Sequence, residues 1–230
     1  MFRHSRFLRY PCALVEVTAR VRNSKITGRK FSAASACLAA LLAVAFFTLT
    51  SESALADFAV AWGSNVYGQF GNGTTGVGQP FSVTVSNLSG DLQIVAGGWH
   101  SLAIDNGAVF AWGLNNYGEL GDNTIAAHSL PAQVIGLTSG VTAITGTTYS
   151  NLAIQNGALF SWGVNTSGLL GDGTTTDRHT PVPVSGMSTD VTQIAMGYEH
   201  SLAVQNGAVY AWGSNELGQI GNGTIASFPP

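Results

Sequence analysis

The chain has 230 residues and a formal net charge of −3, a length that suits one or two domains. Eight of its nine basic residues (Arg3, Arg6, Arg9, Arg20, Arg22, Lys25, Arg29 and Lys30) precede residue 31, whereas from Asp57 onward ten acidic residues face Arg178 alone, a balance of −9. That acidic body excludes a positive nucleic-acid footprint and disfavours adhesion to anionic membrane surfaces; both cysteines, Cys12 and Cys37, lie before it, so it holds neither disulfides nor a thiolate metal site.

The chain opens with a basic stretch, followed by the apolar run FSAASACLAALLAVAFFTLTSESALA over residues 31–56. Basic region, apolar core and the small-x-small triplet Ala54-Leu55-Ala56 are the order of a helical secretory signal segment cleaved before Asp57. This leader, 1–56, predicts a secreted or cell-envelope protein, periplasmic or extracellular. The alternatives are a membrane anchor formed by 31–50, whose apolar length approaches a bilayer span, and a mitochondrial presequence.

The body, 57–230, repeats. Trp62, Trp112, Trp162 and Trp212 head the phrases AWGSNVYGQFGNGT, AWGLNNYGELGDNT, SWGVNTSGLLGDGT and AWGSNELGQIGNGT, offset by 50 residues each time. A strict period means one supersecondary unit repeated, here over about 61–110, 111–160, 161–210 and a partial copy 211–230. Short apolar runs predict strands at Phe81–Val85, Leu92–Ala96, Ser101–Ile104 and Ala108–Trp112. Later copies place the Phe81–Val85 strand at Gln133–Ile135 and Val182–Val184. Asn106-Gly107, Asn156-Gly157 and Asn206-Gly207 each sit between two runs and predict two-residue hairpin turns, because Asn-Gly tolerates positive φ at both positions. Four short strands per 50 residues with Gly-rich turns describe a four-stranded propeller blade. Leu102 and Ile104 share one face of their strand, and the small Ser101 and Ala103 share the other.

The constant positions carry structural expectations. They are Trp62, Gly63, Asn65, Gly68 and Gly71; Trp112, Gly113, Asn115, Gly118 and Gly121; Trp162, Gly163, Asn165, Gly168 and Gly171; and Trp212, Gly213, Asn215, Gly218 and Gly221. Each indole is expected between blades with its N–H on a loop carbonyl, since a buried donor without a partner is costly. The glycines mark positive φ or close backbone approach, and the asparagines bond backbone amides within the loop. His100 and His200 occupy equivalent positions and are read as structural histidines bonding loop carbonyls. His128 and His179 lie in variable loops and are read as exposed.

The phrase WGxNxxGQxGxGT, then a Pro-containing strand and a GxxHSLA block with a hairpin, resembles the regulator of chromosome condensation repeat family. The resemblance covers the body from 57 to 230. It implies an all-β propeller, usually of about seven blades, within the general range of roughly four to eight. Secreted propellers that inhibit β-lactamases are similar as well. The second copy departs at Thr147 and Ser150, the third at Leu169. About three and a half blades are represented, which predicts a fragment of a longer propeller, with closure by self-association or an open arc as the alternatives.

The sequence offers no catalytic signature. G-x-S-x-G, H-E-x-x-H and CxxC are absent, so the chain is read as a non-enzyme without cofactor or metal. Gly71–Gly76 matches G-x-G-x-x-G but lies in a β context rather than opening a helix. Asp172 and Asp177 lack an EF-hand spacing and suggest at most adventitious ion binding. Asn72, Asn87, Asn165 and Asn222 head N-x-S/T sequons. The copies differ most at 66–67, 116–117, 166–167 and 216–217 and at 99, 149 and 199. Loops on a rigid scaffold carry function, and exposed aromatics anchor interfaces, so Tyr67, Trp99, Tyr117 and Tyr149 are the candidate contacts. The expectation is a protein-interaction or adhesion scaffold with a protein partner, and neither nucleic acid nor membrane beyond the leader. Inhibition of an extracellular enzyme, and guanine nucleotide exchange as in the family's namesake, are the alternatives the resemblance implies.

Overall fold

A computed structural model describes residues 58–225. The leader, with its expected helical signal segment, and the last residues of the partial copy lie outside them. Thirteen strands follow in chain order: β1 Val60–Asn65, β2 Gly76–Thr84, β3 Leu92–Ala96, β4 His100–Asp105, β5 Ala108–Gly113, β6 His128–Gln133, β7 Val141–Gly146, β8 Ser150–Gln155, β9 Ala158–Gly163, β10 Arg178–Pro183, β11 Val191–Met196, β12 His200–Gln205 and β13 Ala208–Gly213. They form two four-stranded blades, β3-β4-β5-β6 and β7-β8-β9-β10, flanked by the two-stranded β1-β2 and the three-stranded β11-β12-β13. All pairings are antiparallel. No helix occurs among the described residues. The fold is a partial β-propeller, and the all-β reading holds.

The turns follow from residue chemistry. Asn106 and Gly107 adopt φ of 50° and 79°, Asn156 and Gly157 51° and 81°, Asn206 and Gly207 51° and 77°. Left-handed backbone at both central positions matches the right-handed twist of the flanking strands. These hairpins occupy one end of the blades; the turns at 97–99, 147–149 and 197–199 occupy the other.

The fourth strand lies earlier than expected. The sequence places it at Gln133–Ile135 and Val182–Val184, whereas β6 ends at Gln133 and β10 at Pro183. Val134 and Val184 are buried just beyond, their N–H groups on the Val109 and Leu159 carbonyls. The apolar residues seal the blade base, while the preceding polar half forms the ladder through backbone bonds and a register shift. Hydropathy detects the first and is blind to the second. The early Phe81–Val85 strand falls largely inside β2.

The core lies between blades. Leu102 and Ile104 pack with Ile144, Ala153 and Trp162 of the next blade. On the opposite face Ala103 packs with Ala59, Ala61, Phe70 and Trp112. Both faces of β4 are therefore buried, as the small second face requires. Trp112 and Trp162 are fully buried and Trp212 nearly so, whereas Trp62, in the first blade, is half-buried.

Candidate binding rim

Each loop that follows a Trp-bearing strand is pinned by its asparagine. Asn65 Oδ1 accepts the Phe70 N–H at 3.0 Å and its Nδ2 donates to the Thr74 carbonyl at 3.1 Å. Asn115, Asn165 and Asn215 repeat the pattern on Leu120, Leu170 and Ile220 and on Thr124, Thr174 and Thr224. These asparagines are 0–2% exposed, so the Asn165 side chain is inaccessible in the folded chain. Glycine is required where the loop meets the next blade: a Cβ on Gly118, at φ 80°, would lie 2.5 Å from His179 Cα.

The indoles lock the loop to the following blade. Trp112, Trp162 and Trp212 donate Nε1–H to the carbonyls of Gln69, Glu119 and Leu169, at 2.8, 2.9 and 2.9 Å. The expected loop-carbonyl partner is found each time, 43 residues upstream. Each carbonyl accepts a second bond, from Ser101 Oγ, Asn151 Nδ2 and Ser201 Oγ respectively.

The structure adds a side-chain partner to the histidine expectation. His100, 1% exposed, bonds through Nε2 to the Asn151 side-chain oxygen at 2.8 Å, with the Thr148 backbone of the adjacent turn also beside the ring. Asn151 Nδ2 donates to the Glu119 carbonyl, which fixes the amide's orientation, so the neutral ring carries its proton on Nε2. Burial lowers the His100 pKa to about 4, with the Asn151 side chain and the Thr148 backbone opposing the shift. His200 is half-buried in the last blade. His128 and His179 lie in strands rather than loops, because backbone ladder bonds extend β6 and β10 to them: His128 is half-buried at the start of β6, its Nε2 2.7 Å from Asp122 Oδ2, and His179 is exposed on β10.

The acids of the loops serve the loops. Asp172 Oδ2 accepts from Arg178 Nε at 2.6 Å and Asp177 Oδ1 from the Asn165 N–H at 2.8 Å. Oδ1 of Asp122 and of Asp172 accepts from Thr124 and Thr174. Burial by itself raises the pKa of both acids. For Asp122 the bonds from Thr124 and Asn115 and the nearby His128 outweigh it; for Asp172 the bonds from Thr174 and Arg178 do, so each carboxyl sits below its ordinary value. Among the described residues no group of three or more His, Cys, Asp or Glu could hold a metal.

The four candidate contacts converge at the end opposite the Asn-Gly turns, in two pairs. Tyr67 and Trp99 meet edge to face with centroids 5.8 Å apart, and Tyr117 and Tyr149 do so at 5.1 Å. Tyr67 remains 36% and Tyr117 43% exposed, while Trp99 and Tyr149 are half-buried. Packing and exposure therefore coexist in each pair. The N–H groups of Tyr67 and Tyr117 are held by the Gln69 and Glu119 side chains, both at 2.8 Å. Glu119 is fully buried and its second oxygen, Oε1, has no hydrogen-bond partner; burial raises its pKa. Tyr149 is likewise shifted upward by burial, with Tyr117, Tyr198, Glu119 and Tyr67 contributing. Tyr198, 75% exposed, is a rim aromatic that sequence reasoning missed. Positions 98, 148 and 198 read Gly, Thr and Tyr, and that variation was the available signal.

Stacked blades pinned by buried Asn and Trp, with variable aromatics along one edge, define a propeller that displays its rim. The chain belongs to the regulator of chromosome condensation (RCC1) repeat family: residues 61–104, 106–154 and 156–204 match that repeat, and 92–119 and 191–219 match a second description of it. The first match spans β1 to β4, so each sequence repeat supplies the outer pair of strands to one blade and the inner pair to the next. Human WBSCR16 is similar in structure at 24% identity and a TM-score of 0.63, over 75% of this chain and 48% of that one. Prp20p of Saccharomyces cerevisiae, whose structure is described together with its binding to Gsp1p and histones, is similar at 21% identity and a TM-score of 0.61, over 73% of this chain and 44% of that one. At these identities the likeness is one of fold, and the chain spans less than half the length of either protein. No curated protein matches the chain.

Proposed function

We propose that this protein is a non-catalytic scaffold of the secretory route or cell envelope that binds another protein through its aromatic rim. One observation carries the reading: two edge-to-face aromatic pairs recur one blade apart, on loops that buried Asn and Trp bonds hold rigid. Such loops present large contact area at little entropic cost, since the side chains lose little freedom on binding. The exported location rests on the leader at 1–56, and a mature N-terminus at Asp57 in protein purified from its source is the expected result.

Affinity capture from the extracellular and envelope fractions of the source tests the rim. The bait is wild type, Tyr67→Ala/Tyr117→Ala, or Gln155→Ala near the opposite end. Loss of a hot-spot pair costs about 2 kcal/mol or more, roughly thirtyfold in affinity. The rim variant is expected to lose the captured partner and the opposite-end variant to keep it. Identical capture by all three baits, with unchanged melting temperatures, would defeat the proposal.

A further inference from the structure

The repeat breaks at one place on the rim. At the first two positions between blades an aromatic pair fills the space, Tyr67 with Trp99 and Tyr117 with Tyr149. At the third, the corresponding residues are Ser167 and Glu199, and Leu169 stands where Gln69 and Glu119 hold the loop N–H. An open cleft of about 90 Å³ results, lined in part by Thr148, Tyr149, Thr166, Ser167, Tyr198 and Glu199. It is too small for a drug-sized ligand, which needs roughly 300 Å³ or more, and suits a single side-chain head group.

The lining selects the charge of that group. Two tyrosine rings attract a cation through their quadrupoles, and Glu199 supplies an exposed carboxylate. No basic residue lines the cleft. Arg178, the only lysine or arginine among the described residues, is bonded to Asp172. An anion here would face Glu199 with no cation to receive it, while Val164 and Leu169, which also line the cleft, suit the aliphatic stem of a long basic side chain. We infer that this cleft receives a lysine or arginine side chain of the partner protein, between Tyr149, Tyr198 and Glu199. The inference rests on the proposed reading that this rim binds protein, and it names the chemistry of one contact. The acidic body, with its single basic residue after Asp57, steers a basic partner to the same surface.

Isothermal titration of the full 230-residue chain with blocked pentapeptides carrying one central arginine, lysine or citrulline tests it. The arginine and lysine peptides are expected to bind, and the neutral citrulline isostere to bind about tenfold more weakly. Glu199→Gln, which keeps the shape, raises Kd about fivefold or more. Ser167→Tyr restores the aromatic of the other two positions and abolishes binding by filling the cleft. Glu216→Gln, an exposed acid in the next loop, leaves Kd within about twofold, the effect of a distant screened charge. Melting curves confirm that each variant is folded, and the isosteric Glu199→Gln suffices if Ser167→Tyr is not. No binding of the arginine peptide up to about 10 mM, an affinity weaker than roughly 3 kcal/mol, overturns the inference. So does equal binding of citrulline, or an equal loss with Glu216→Gln. If capture depends on Tyr67 and Tyr117 but the peptides do not bind, this inference fails alone. If the peptides bind and capture ignores the aromatic pairs, the proposed function fails instead.

Discussion

Lowering the pH should unfasten the second blade from the third through one residue. His100 titrates at about 4 in the folded chain against 6.5 for an ordinary histidine, chiefly because it is buried. The folded state therefore binds fewer protons than the unfolded state between those values. Stability is complete above about pH 6.5, falls as the pH drops toward 4, and changes little further below that from this residue. Two and a half pKa units at 1.36 kcal/mol each amount to about 3 kcal/mol, a large share of the 5–15 kcal/mol typical of a domain. The physical cost is desolvation of the charged ring, which the Asn151 side chain and the Thr148 backbone offset only in part. Urea unfolding followed by tryptophan fluorescence from pH 7.5 to 4 measures it. Glu119 acts with the opposite sign, since burial raises its pKa and its protonation at low pH relieves a buried charge. The comparison therefore uses Glu119→Gln as the background, with and without His100→Gln. The His100→Gln chain should start less stable at pH 7.5 and lose about 3 kcal/mol less on acidification. Equal losses in the two chains would refute the assignment of this pH dependence to His100.

Two further outcomes follow from the same contacts. Glu119→Gln should stabilise the protein at pH 7, because a buried charge gives way to the neutral amide that stands at 69, whose Nε2 is left unpartnered in the same way as the Glu119 Oε1. The gain should shrink as the pH falls toward the ordinary carboxylate value, and a gain independent of pH would contradict the buried-charge argument. Trp112→Phe and Ser101→Ala each remove one of two donors to the Gln69 carbonyl, at about 1–2 kcal/mol apiece. The double variant orphans that buried carbonyl and should cost about 1 kcal/mol more than the sum, and strict additivity in denaturant melts would show that the two bonds are independent.

The local architecture was legible in the residues. Asn-Gly pairs specify their turns because φ near 50° at Asn106 and 79° at Gly107 suit those residue types. The indole N–H, buried by the bulk of Trp112, Trp162 and Trp212, had to find an acceptor in its own neighbourhood, and a 50-residue period made that acceptor the same loop carbonyl each time. The four rim aromatics could be chosen because the constant framework around them exposed their variability.

What the chain's order of residues did not contain was the relation between blades. His100 bonds Asn151, 51 residues away, and only the stacking of β4 against the next blade brings the two side chains together. The pairing of Tyr67 with Trp99 and of Tyr117 with Tyr149 was likewise invisible, as was the seclusion of the Glu119 carboxylate. The starts of β6 and β10 escaped because backbone bonds, rather than apolar side chains, define them. The cleft beside Tyr198 and Glu199 exists because Ser167 leaves unfilled a space that its neighbours occupy. Turns are decided by the chemistry of a residue and its loop, and a buried indole must find some acceptor, so both can be read along the chain; which carbonyl the indole meets is set by the neighbouring blade. Side-chain partners across blades are decided by the distance at which two sheets pack, and that distance is a property of the folded stack.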